Sequence, residues 1–333
     1  MLKLAPWLRV VKYRKTVRLM ITGTKGKTTT TTMVARIMAE SGHCVGYCTT
    51  DNVVIDGRVV RVGDSAGQMG ARPILEDPSV TCAVLETARG NLGKSGLYVA
   101  TCHASALLNI GWDHVGTDGI DTQEAMLALK RRVTDASRGR VVLNAEDALV
   151  APLVGDYGLK RTTIFALDPA AVAGHVAAGG EAVTLTEGAS PRIVHRGPAR
   201  DVEVMPVADI PASMGGRVPF IVANALAATA LARAVGVTPE VIATALRGFD
   251  DSGEALPGRF RMLIGYPFMV VIDRGHGLSS LEGFFSGIRG LRTPDMRVNA
   301  MLMAVGNRPD WTFERMAAIA AAASVDSYVS EVS

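Results

Sequence analysis

The first 150 residues alternate between short apolar runs and segments with helical periodicity. The apolar runs that predict strands are Val17–Ile21, Val45–Cys48, Ala83–Leu85, Ala104–Leu108 and Val141–Leu143. The clearest helical patterns between them are Thr29–Glu40 and Thr122–Ala136. Short continuous apolar strands that alternate with helices are typical of a parallel sheet that is covered on both faces. The pattern therefore predicts an α/β fold built around such a sheet.

The positions that follow these runs carry most of the candidate chemistry. In parallel α/β sheets, ligands bind beyond the carboxyl ends of the strands, so these positions should share one rim. Thr22–Thr28, a loop of glycine, threonine and lysine, follows the first run, and Glu86 follows the third. Asn109–His114 follows the fourth run and Asn144–Asp147 follows the fifth. Polar and acidic groups are therefore expected to collect at that rim.

After Arg161 the apolar runs become shorter and are separated by Gly, Pro and Asp. These runs predict small antiparallel strands, and they are Thr163–Leu167, Ala182–Leu185 and Val202–Met205. The helices predicted after them are Phe220–Ala234 and Pro239–Leu246. Residues 249–258 have the composition of a linker. A strand–helix–strand–helix set begins at Met269–Ile272.

A chain of 333 residues suggests two domains. We predict a central α/β domain over residues 1–252, with a parallel sheet, a phosphate loop and a small antiparallel subregion. Residues 253–333 predict a partial Rossmann-like C-terminal domain, because the set of elements there is short for a complete α/β unit.

Composition narrows the class of protein. The net charge is +3, from 35 basic and 32 acidic residues, so no global electrostatic attraction to nucleic acid is expected. The four cysteines form no CxxC pair and are interpreted as buried reduced thiols of a cytosolic protein. No apolar stretch reaches the roughly 18 residues that a membrane span needs, and the N-terminus lacks a signal-peptide core. We therefore expect a cytoplasmic protein without a membrane partner.

The loop Gly23–Thr28 reads Gly-Thr-Lys-Gly-Lys-Thr and lies between a predicted strand and a predicted helix, the context of a phosphate-binding loop. Its backbone N–H groups and the helix N-terminus would face phosphates, Lys27 would add charge, and the Thr28 hydroxyl could hold Mg²⁺. Ile21 replaces a glycine of the full motif, so the loop is a shortened form. The alternative is a strand–helix turn without a ligand. The five threonines Thr28–Thr32 disfavour it, because they are poor helix formers that stability alone does not explain.

Three further residues are candidates for the same site, each with an ordinary alternative. Mg²⁺ takes few protein ligands, mostly oxygens, beside phosphate and water. Glu86 is a candidate ligand because it ends a strand opposite the phosphate loop, although such a residue alone is more often a helix cap or an ion-pair partner. His114 follows another rim strand but would by default be packed or solvated. Lys130, beside two arginines on a predicted helix, would by default lie on a solvated face.

The chain as a whole resembles the Mur ligase family, and within it the Mur-like C-terminal half of cyanophycin synthetase. The segments that carry the resemblance, in order, are Gly23–Thr32, Leu85–Gly90, Asn109–His114, Leu129-Lys130, Val142–Asp147, Asn224–Ala228, Pro257–Phe260, Val271–His276 and Val305–Asp310. The resemblance implies an ATP-dependent ligase. A substrate carboxylate would attack the γ-phosphate of ATP to give an acyl phosphate, and the amine of an amino acid would then form an amide. Phosphoryl transfer depends mainly on positioning and charge stabilisation, which suits a rim of cations and Mg²⁺.

The resemblance also implies roles by position. Lys27 would contact the β- and γ-phosphates, Thr28 and Glu86 would hold one Mg²⁺, and His114 would hold a second. Lys130 would correspond to the lysine that many Mur ligases carbamylate, which would make it a metal ligand.

Further residues would form the nucleotide site and complete the catalytic set. With Lys27 and Thr28, the residues implied to bind nucleotide are Gly23, Thr24, Lys25, Gly26, Thr29, Asn224, Arg259 and Asp273. His276 would face the reaction from the C-terminal domain and join Lys27 and Lys130 as a catalytic residue.

The chain departs from the family pattern at several points. Lys25 replaces the usual asparagine of the loop, and Arg274-Gly-His-Gly277 replaces Tyr-Ala-His-Asn. The second departure bears on the pocket for the incoming amino acid more than on the ATP site. The ATP-grasp half of cyanophycin synthetase is absent, and the chain is expected to stop inside the C-terminal domain.

Several functions stay open at the level of sequence. The leading hypothesis is a ligase that adds an amino acid to a carboxylated peptide or polymer. A Mur-like ligase acting on a cell-wall precursor, poly-glutamate or folate is the alternative within enzymes. A degenerate ATP-binding subunit without ligase activity is the alternative outside them. A homo-oligomer or a separate ATP-grasp partner is compatible with each.

Overall fold

The computed structural model describes residues 15–113, 115–250, 258–263, 265–275, 277–304, 310–323 and 326–332. The strands in this part of the chain are β1 (Val17–Thr22), β2 (Val45–Cys48), β3 (Asn52–Ile55), β4 (Arg58–Val62), β5 (Cys82–Glu86), β6 (Ala104–Leu107), β7 (Val141–Asn144), β8 (Thr162–Phe165), β9 (Glu181–Leu185), β10 (Arg192–Arg196), β11 (Val202–Pro206), β12 (Arg261–Leu263), β13 (Val270–Ile272), β14 (Asn299–Ala304) and β15 (Ser327–Val332). The helices are α1 (Lys27–Glu40), α2 (Gln68–Glu76), α3 (Arg89–Ser95), α4 (Gln123–Asp135), α5 (Leu153–Tyr157), α6 (Ala170–Ala177), α7 (Pro219–Ala234), α8 (Pro239–Arg247), α9 (Leu278–Leu291) and α10 (Asp310–Ala322).

Strands β1 to β11 form one sheet in the order β11-β10-β9-β8-β7-β6-β1-β5-β2-β3-β4. The seven strands from β9 to β2 in that order pair in parallel. Antiparallel pairing adds β10 and β11 at one edge and β3 and β4 at the other. The predicted α/β class with a large, mostly parallel sheet is therefore confirmed.

The predicted antiparallel subregion needs correction. β8 pairs in parallel with both β7 and β9, so it extends the central sheet, and antiparallel pairing begins only between β9 and β10. All four residues of β8 are buried, which is the mark of a strand covered on both faces. The turn residues that flank this strand suggested hairpins, but a helix, α6, occupies the connection between β8 and β9. The hairpin β3–β4 and strand β10 are additions that the apolar runs do not predict.

Strand β1 shows why its sequence is apolar throughout. Leu19 and Ile21 face one core cluster, which includes Met33 and Ile37 of α1 and much of α7. Met20 faces the opposite cluster, which includes residues of α2, β5 and α4. Because successive side chains of a strand point to opposite faces, a strand between two helical layers needs apolar residues at every position.

The strand register brings the candidate residues to one rim. Ile21 in β1 lies beside Glu86 in β5, and Thr22 lies beside Leu107 in β6. The loops that follow β1, β5 and β6 therefore leave the sheet at adjacent positions. The fold confirms the prediction that the residues after these apolar runs share an edge.

The C-terminal segment contacts this sheet domain through aromatic packing. The ring of Phe260 lies 5.3 Å from that of Phe220 in α7 and 5.6 Å from that of Phe284 in α9, both edge to face. The segment contains an antiparallel pair, β12–β13, and a parallel pair, β14–β15, joined through α10. The parallel β14-α10-β15 unit agrees with the Rossmann-like expectation. The domain division at residues 252 and 253 stays a prediction and lies outside the described residues.

None of the helices in the described ranges is both long enough and apolar enough to cross a membrane.

Candidate active site

The phosphate loop joins β1 to α1 in a conformation that requires glycine at Gly26. This residue caps α1 with φ +80°, in the left-handed region. A Cβ atom added at Gly26 would lie 2.3 Å from Oδ1 of Asn224, which reaches the loop from α7. The Asn224 Oδ1 also accepts a hydrogen bond of 3.4 Å from Thr30. Asn224 therefore lies against the loop, while its contact with nucleotide stays a prediction.

Asn109, which follows β6, holds the loop from the other side. Its Oδ1 accepts hydrogen bonds from the backbone N–H groups of Thr24, at 3.0 Å, and Lys25, at 2.8 Å. The Thr24 hydroxyl in turn accepts a hydrogen bond of 2.9 Å from the N–H of Gly111. Asn109 is absent from the predicted site residues, although its place after a rim strand is a signal that could have identified it. The loop is thus preformed by neighbouring side chains.

Lys27 begins α1 and is partly buried at the rim. Its Nζ donates a hydrogen bond of 3.0 Å to the backbone oxygen of Thr24. Burial lowers the pKa of Lys27, an effect that the negative charge of Glu86 opposes. No carboxylate in the described ranges comes within ion-pair distance of this ammonium group. A partly buried cation without an ion-pair partner favours an anion nearby, and the neighbouring helix N-terminus favours a phosphate.

Thr28 and Glu86 meet as predicted. The Thr28 hydroxyl donates to Oε2 of Glu86 at 2.9 Å, and the N–H of Thr50 contacts the same oxygen at 3.3 Å. The Glu86 side chain is fully buried, and its other oxygen, Oε1, has no hydrogen-bond partner. Burial raises the pKa of Glu86, while the positive charge of Lys27 opposes this. Thr29, next along α1, is also buried.

These groups fit a Mg²⁺ ion. An unpartnered, buried carboxylate oxygen beside a threonine hydroxyl supplies hard oxygen ligands, and Mg²⁺ takes the rest from phosphate and water. Within the described residues no group of three or more His, Cys, Asp or Glu could hold a metal. The donor set therefore suits an ion shared with phosphate rather than a closed structural metal site.

Lys130 lies under the phosphate loop rather than on a solvated face. It is almost fully buried, and its Nζ donates a hydrogen bond of 2.8 Å to the backbone oxygen of Gly23. Burial lowers the pKa of Lys130 well below its usual value, and the positive charges of Lys27 and Arg89 lower it further. A lysine with a lowered pKa has more of the neutral amine that reacts with carbon dioxide. The fold thus places Lys130 at the rim, while its carbamylation and metal role remain predictions.

The departures Lys25 and Gly277 occur at one place. Lys25 Nζ forms an ion pair of 2.8 Å with Oδ2 of Asp113, in the loop after β6. A Cβ atom at Gly277, just before α9, would lie 1.8 Å from Oδ1 of the same carboxylate. Because Asp113 comes this close to the backbone of residue 277, only glycine fits there. Both departures are therefore parts of one contact between the phosphate loop, the β6 loop and α9.

Arg259 reaches the rim from the C-terminal segment. Its Nη2 lies 3.5 Å from the Thr28 hydroxyl and 3.4 Å from the Thr50 hydroxyl. Asp273 contacts the backbone around this arginine instead of facing the loop, because its Oδ2 accepts from the N–H of Phe260 at 2.8 Å. The structure thus brings Arg259 to the predicted nucleotide site, while the direct contact of Asp273 with nucleotide stays a prediction.

Besides Asn109, three residues of the rim are absent from the sequence-based set. Thr50 and Asp51 lie between β2 and β3, and Arg274 forms an ion pair with Asp51. No motif marks Thr50 or Asp51, although the run Thr49-Thr50-Asp51 directly after a rim strand is a usable signal. The predicted metal ligand His114 and the predicted catalytic residue His276 lie outside the described residues.

Comparisons with known proteins bear on the family of the chain. Residues 21–232 match the Mur ligase middle domain. Cyanophycin synthetase of Synechocystis sp. is 36% identical over 311 residues, which are 90% of this chain and 35% of that protein. UDP-N-acetylmuramoylalanine–D-glutamate ligase of Thermobifida fusca is 30% identical over 235 residues, which are 70% of this chain and 44% of that enzyme. The chain spans about a third of the length of the cyanophycin synthetases that it matches.

Solved structures share the fold at low sequence identity. MurF from Acinetobacter baumannii has a TM-score of 0.68 at 19% identity, covering 96% of this chain and 64% of that one. FolC from E. coli, solved in complex with DHPP and ADP, has a TM-score of 0.65 at 18% identity, covering 95% and 75%. These likenesses extend the agreement in fold over nearly the whole chain.

Proposed function

The chain belongs to the Mur ligase family, and from this premise we propose that it is an ATP-dependent, ADP-forming ligase that joins an amino acid to a carboxylate acceptor. The observation that carries the proposal is the pairing of the Thr28 hydroxyl with the buried Glu86, whose Oε1 lacks a partner, beside the partly buried Lys27. A binding module without chemistry would need the loop but not a buried carboxylate with an open coordination position.

The proposed reaction has two steps. A carboxylate oxygen of the acceptor attacks the γ-phosphorus of ATP, forming an acyl phosphate and releasing ADP. The amine of the amino acid then attacks the acyl carbon, forming the amide and releasing phosphate, and the amine loses a proton. Lys27, the loop N–H groups and Arg259 would stabilise the charge on the transferring phosphoryl group.

Metal and lysine chemistry support the same steps. Thr28 and Glu86 would hold Mg²⁺, which supplies charge neutralisation at the β- and γ-phosphates. His114 would hold a second Mg²⁺. Carbamylated Lys130 would add a carboxylate at the rim, and His276 would face the reaction from the C-terminal segment.

The acceptor follows from the relatives at the level of a class. Cyanophycin synthetases match over about 90% of this chain, so a carboxylated peptide or polymer is the leading acceptor. A cell-wall precursor, poly-glutamate or folate is the alternative, as suggested by the cell-wall ligases and FolC. The proposal places the chain in the cytoplasm, as a homo-oligomer or beside a separate ATP-grasp partner.

The proposal can be tested by following phosphate release from ATP and Mg²⁺ with candidate acceptors and each of the twenty amino acids. Release that requires both an acceptor and an amino acid, with ADP as co-product, supports a ligase. Mass spectrometry of the product should show the amide. Tight ATP binding without substrate-stimulated turnover would instead identify an ATP-binding subunit and end the ligase proposal.

A further inference from the structure

The loop between β2 and β3 connects the Mg²⁺ ligands to the C-terminal segment. The Thr50 hydroxyl lies 3.2 Å from the Thr28 hydroxyl, and the Thr50 N–H contacts Glu86. The next residue, Asp51, is fixed by its backbone: its N–H donates to the Thr49 hydroxyl at 3.1 Å, and its oxygen accepts from the N–H of Gly63 at 2.8 Å. Its side chain is only 8% exposed. Asp51 is therefore a buried carboxylate held at a fixed place on the rim.

Two arginines of the C-terminal segment share this carboxylate. Arg274 Nη1 forms a close ion pair with Oδ1 of Asp51. Arg259 Nη2 lies 3.6 Å from Oδ2, a longer contact that makes no hydrogen bond. The two arginines are neighbours, because the N–H of Arg274 donates to the oxygen of Gly258 at 2.8 Å. Asp51 thus engages Arg274 strongly and Arg259 weakly.

Arg259 is incompletely satisfied in this arrangement. Its contacts with the two threonine hydroxyls are long, at 3.4 and 3.5 Å, and its Nε is buried without a partner. Two positive charges face one negative charge, so the trio keeps a net charge of about +1. A guanidinium in this state is oriented toward the Thr28 end of the loop and still has donors to offer an anion.

We propose that Asp51 and Arg274 together are positioning residues for Arg259. Asp51 orients the Arg259 guanidinium toward the phosphate that binds at Thr28, and Arg274 occupies the Asp51 carboxylate so that Arg259 keeps its charge for that phosphate. Arg274 replaces the tyrosine usual in the family pattern, so this device belongs to this chain. The inference rests on the proposed function, because it needs a nucleotide at the loop.

The terminal phosphate of ATP and Mg²⁺ are expected at the Thr28 end of the loop. A residue that positions Arg259 should therefore affect the binding of MgATP more than that of MgADP, which lacks this phosphate. Loss of Asp51 or Arg274 should weaken MgATP binding about three- to tenfold while changing MgADP binding much less. A general structural defect would weaken both nucleotides alike. Because the two residues act through one contact, their effects should not add.

The experiment measures MgATP and MgADP affinity by calorimetry for Asp51→Asn, Arg274→Gln, their double variant and Arg274→Lys. Arg247→Gln and Asp209→Asn are the matched controls, since they form an exposed Arg–Asp pair far from the rim. We expect each single variant to lose affinity for MgATP selectively, the double variant to be no worse than either single one, and Arg274→Lys to recover most of the loss. The controls should bind like the unmodified chain.

Each of the following results would overturn the inference. Single variants that bind MgATP as tightly as the unmodified chain would remove the positioning role and leave the ligase proposal intact. Equal losses for MgATP and MgADP would show that the two residues act on the fold alone, and fully additive losses would show that they act independently of each other. If the unmodified chain binds no MgATP, the proposed function fails and the positioning role fails with it.

Discussion

Two clusters of charged residues lie at opposite ends of the same sheet and use their charges differently. At the carboxyl ends of the strands, the partly buried Lys27 and the buried Lys130 donate to backbone oxygens of the phosphate loop and meet no carboxylate within the described ranges at ion-pair distance. At the amino ends, Glu181 begins β9 and forms ion pairs with Arg140 and with His195 of β10, the latter at 3.3 Å. In the second cluster Arg140 and His195 both contact a carboxylate, whereas the two lysines of the first do not.

The titration of the two clusters shows the same difference. Burial lowers the pKa of Lys130, and the neighbouring cations Lys27 and Arg89 add to the effect. Burial also lowers the pKa of His195, and Arg233 lowers it further, but the adjacent Glu181 opposes both effects. A buried charge without a partner of opposite sign costs stability. Such charges are found at functional sites, where a bound ligand compensates them. The comparison therefore separates a ligand site from a structural cluster on one sheet.

The largest expected effect comes from removing the charge at the centre of the phosphate loop. Lys27→Ala should weaken MgATP binding by about two orders of magnitude or more, because the variant loses the ammonium group that faces the phosphates. Calorimetry measures this directly. Lys160→Ala, which removes an exposed lysine, is the matched control and should bind normally. Unchanged affinity in Lys27→Ala would show that the nucleotide site is elsewhere.

Glu86→Gln should weaken the Mg²⁺-dependent part of ATP binding about 10- to 100-fold, because an amide is a poorer ligand than a carboxylate. Titrating Mg²⁺ at fixed ATP measures the change. The matched control is Glu76→Gln, an exposed glutamate on α2. Equal Mg²⁺ dependence in Glu86→Gln and the unmodified chain would remove Glu86 from the metal site.

The same Glu86→Gln variant predicts a pH effect on stability. Burial raises the pKa of Glu86 above 4.5, so the folded chain binds more protons than the unfolded chain between 4.5 and the raised value. The contribution of Glu86 to the stability of the unmodified chain therefore falls as the pH rises through that window. Glu86→Gln lacks this titrating group. The difference between its free energy of unfolding and that of the unmodified chain should therefore shift in favour of Glu86→Gln as the pH rises through the window. Urea unfolding at several pH values without metal checks the sign.

Lys130 should react with carbon dioxide to a carbamate, forming a bond between Nζ and carbon and releasing a proton. A carbonyl signal from ¹³C-labelled bicarbonate should appear in the NMR spectrum and disappear in Lys130→Met. Lys94→Met, at an exposed lysine, should keep the signal. A spectrum without the signal, in the presence of Mg²⁺ and nucleotide, would contradict the modification.

The smallest effect on nucleotide binding is expected from the cluster of Glu181, Arg140 and His195 at the amino ends of the strands. Glu181→Gln removes the carboxylate shared by Arg140 and His195, so it should reduce the free energy of unfolding by about 1–3 kcal/mol and leave MgATP affinity unchanged. Thermal unfolding and calorimetry on the same sample measure both. A marked loss of nucleotide affinity would mean that the two ends of the sheet are coupled, so the two clusters would no longer be separable into a ligand site and a structural cluster.

Much of the fold could be predicted from periodicity, because burial on both faces leaves a direct trace in the sequence. The strands β1, β2, β5, β6 and β7 and the helices α1, α4, α7 and α8 agree with prediction within two residues at each end. Strand direction leaves no such trace, which is why the parallel pairing of β8 was missed. Helix α3, with its sequence Arg-Gly-Asn-Leu-Gly-Lys-Ser, buries only Leu92 and so carries little apolar pattern.

Some residues of the candidate site could likewise be predicted from the sequence, and others could not. The residue types Gly23–Thr28 and Glu86 mark phosphate and metal chemistry because backbone N–H groups, a lysine and hard oxygens are what those ligands need. The sequence-based default for Lys130 is a solvated face, and only the packing of α4 under the loop places its Nζ on the Gly23 oxygen. Asp51 is likewise invisible to any motif.

What the sequence determined by itself is local: which segments are strands and helices, where the phosphate loop lies, and which family the pattern resembles. What the tertiary structure decided is which charges are left without partners. Ion pairing depends on contacts between residues far apart in the chain, such as Asp51 with Arg274 or Lys25 with Asp113. Electrostatic energy depends on distance and burial in space, and neither can be read from spacing along the chain.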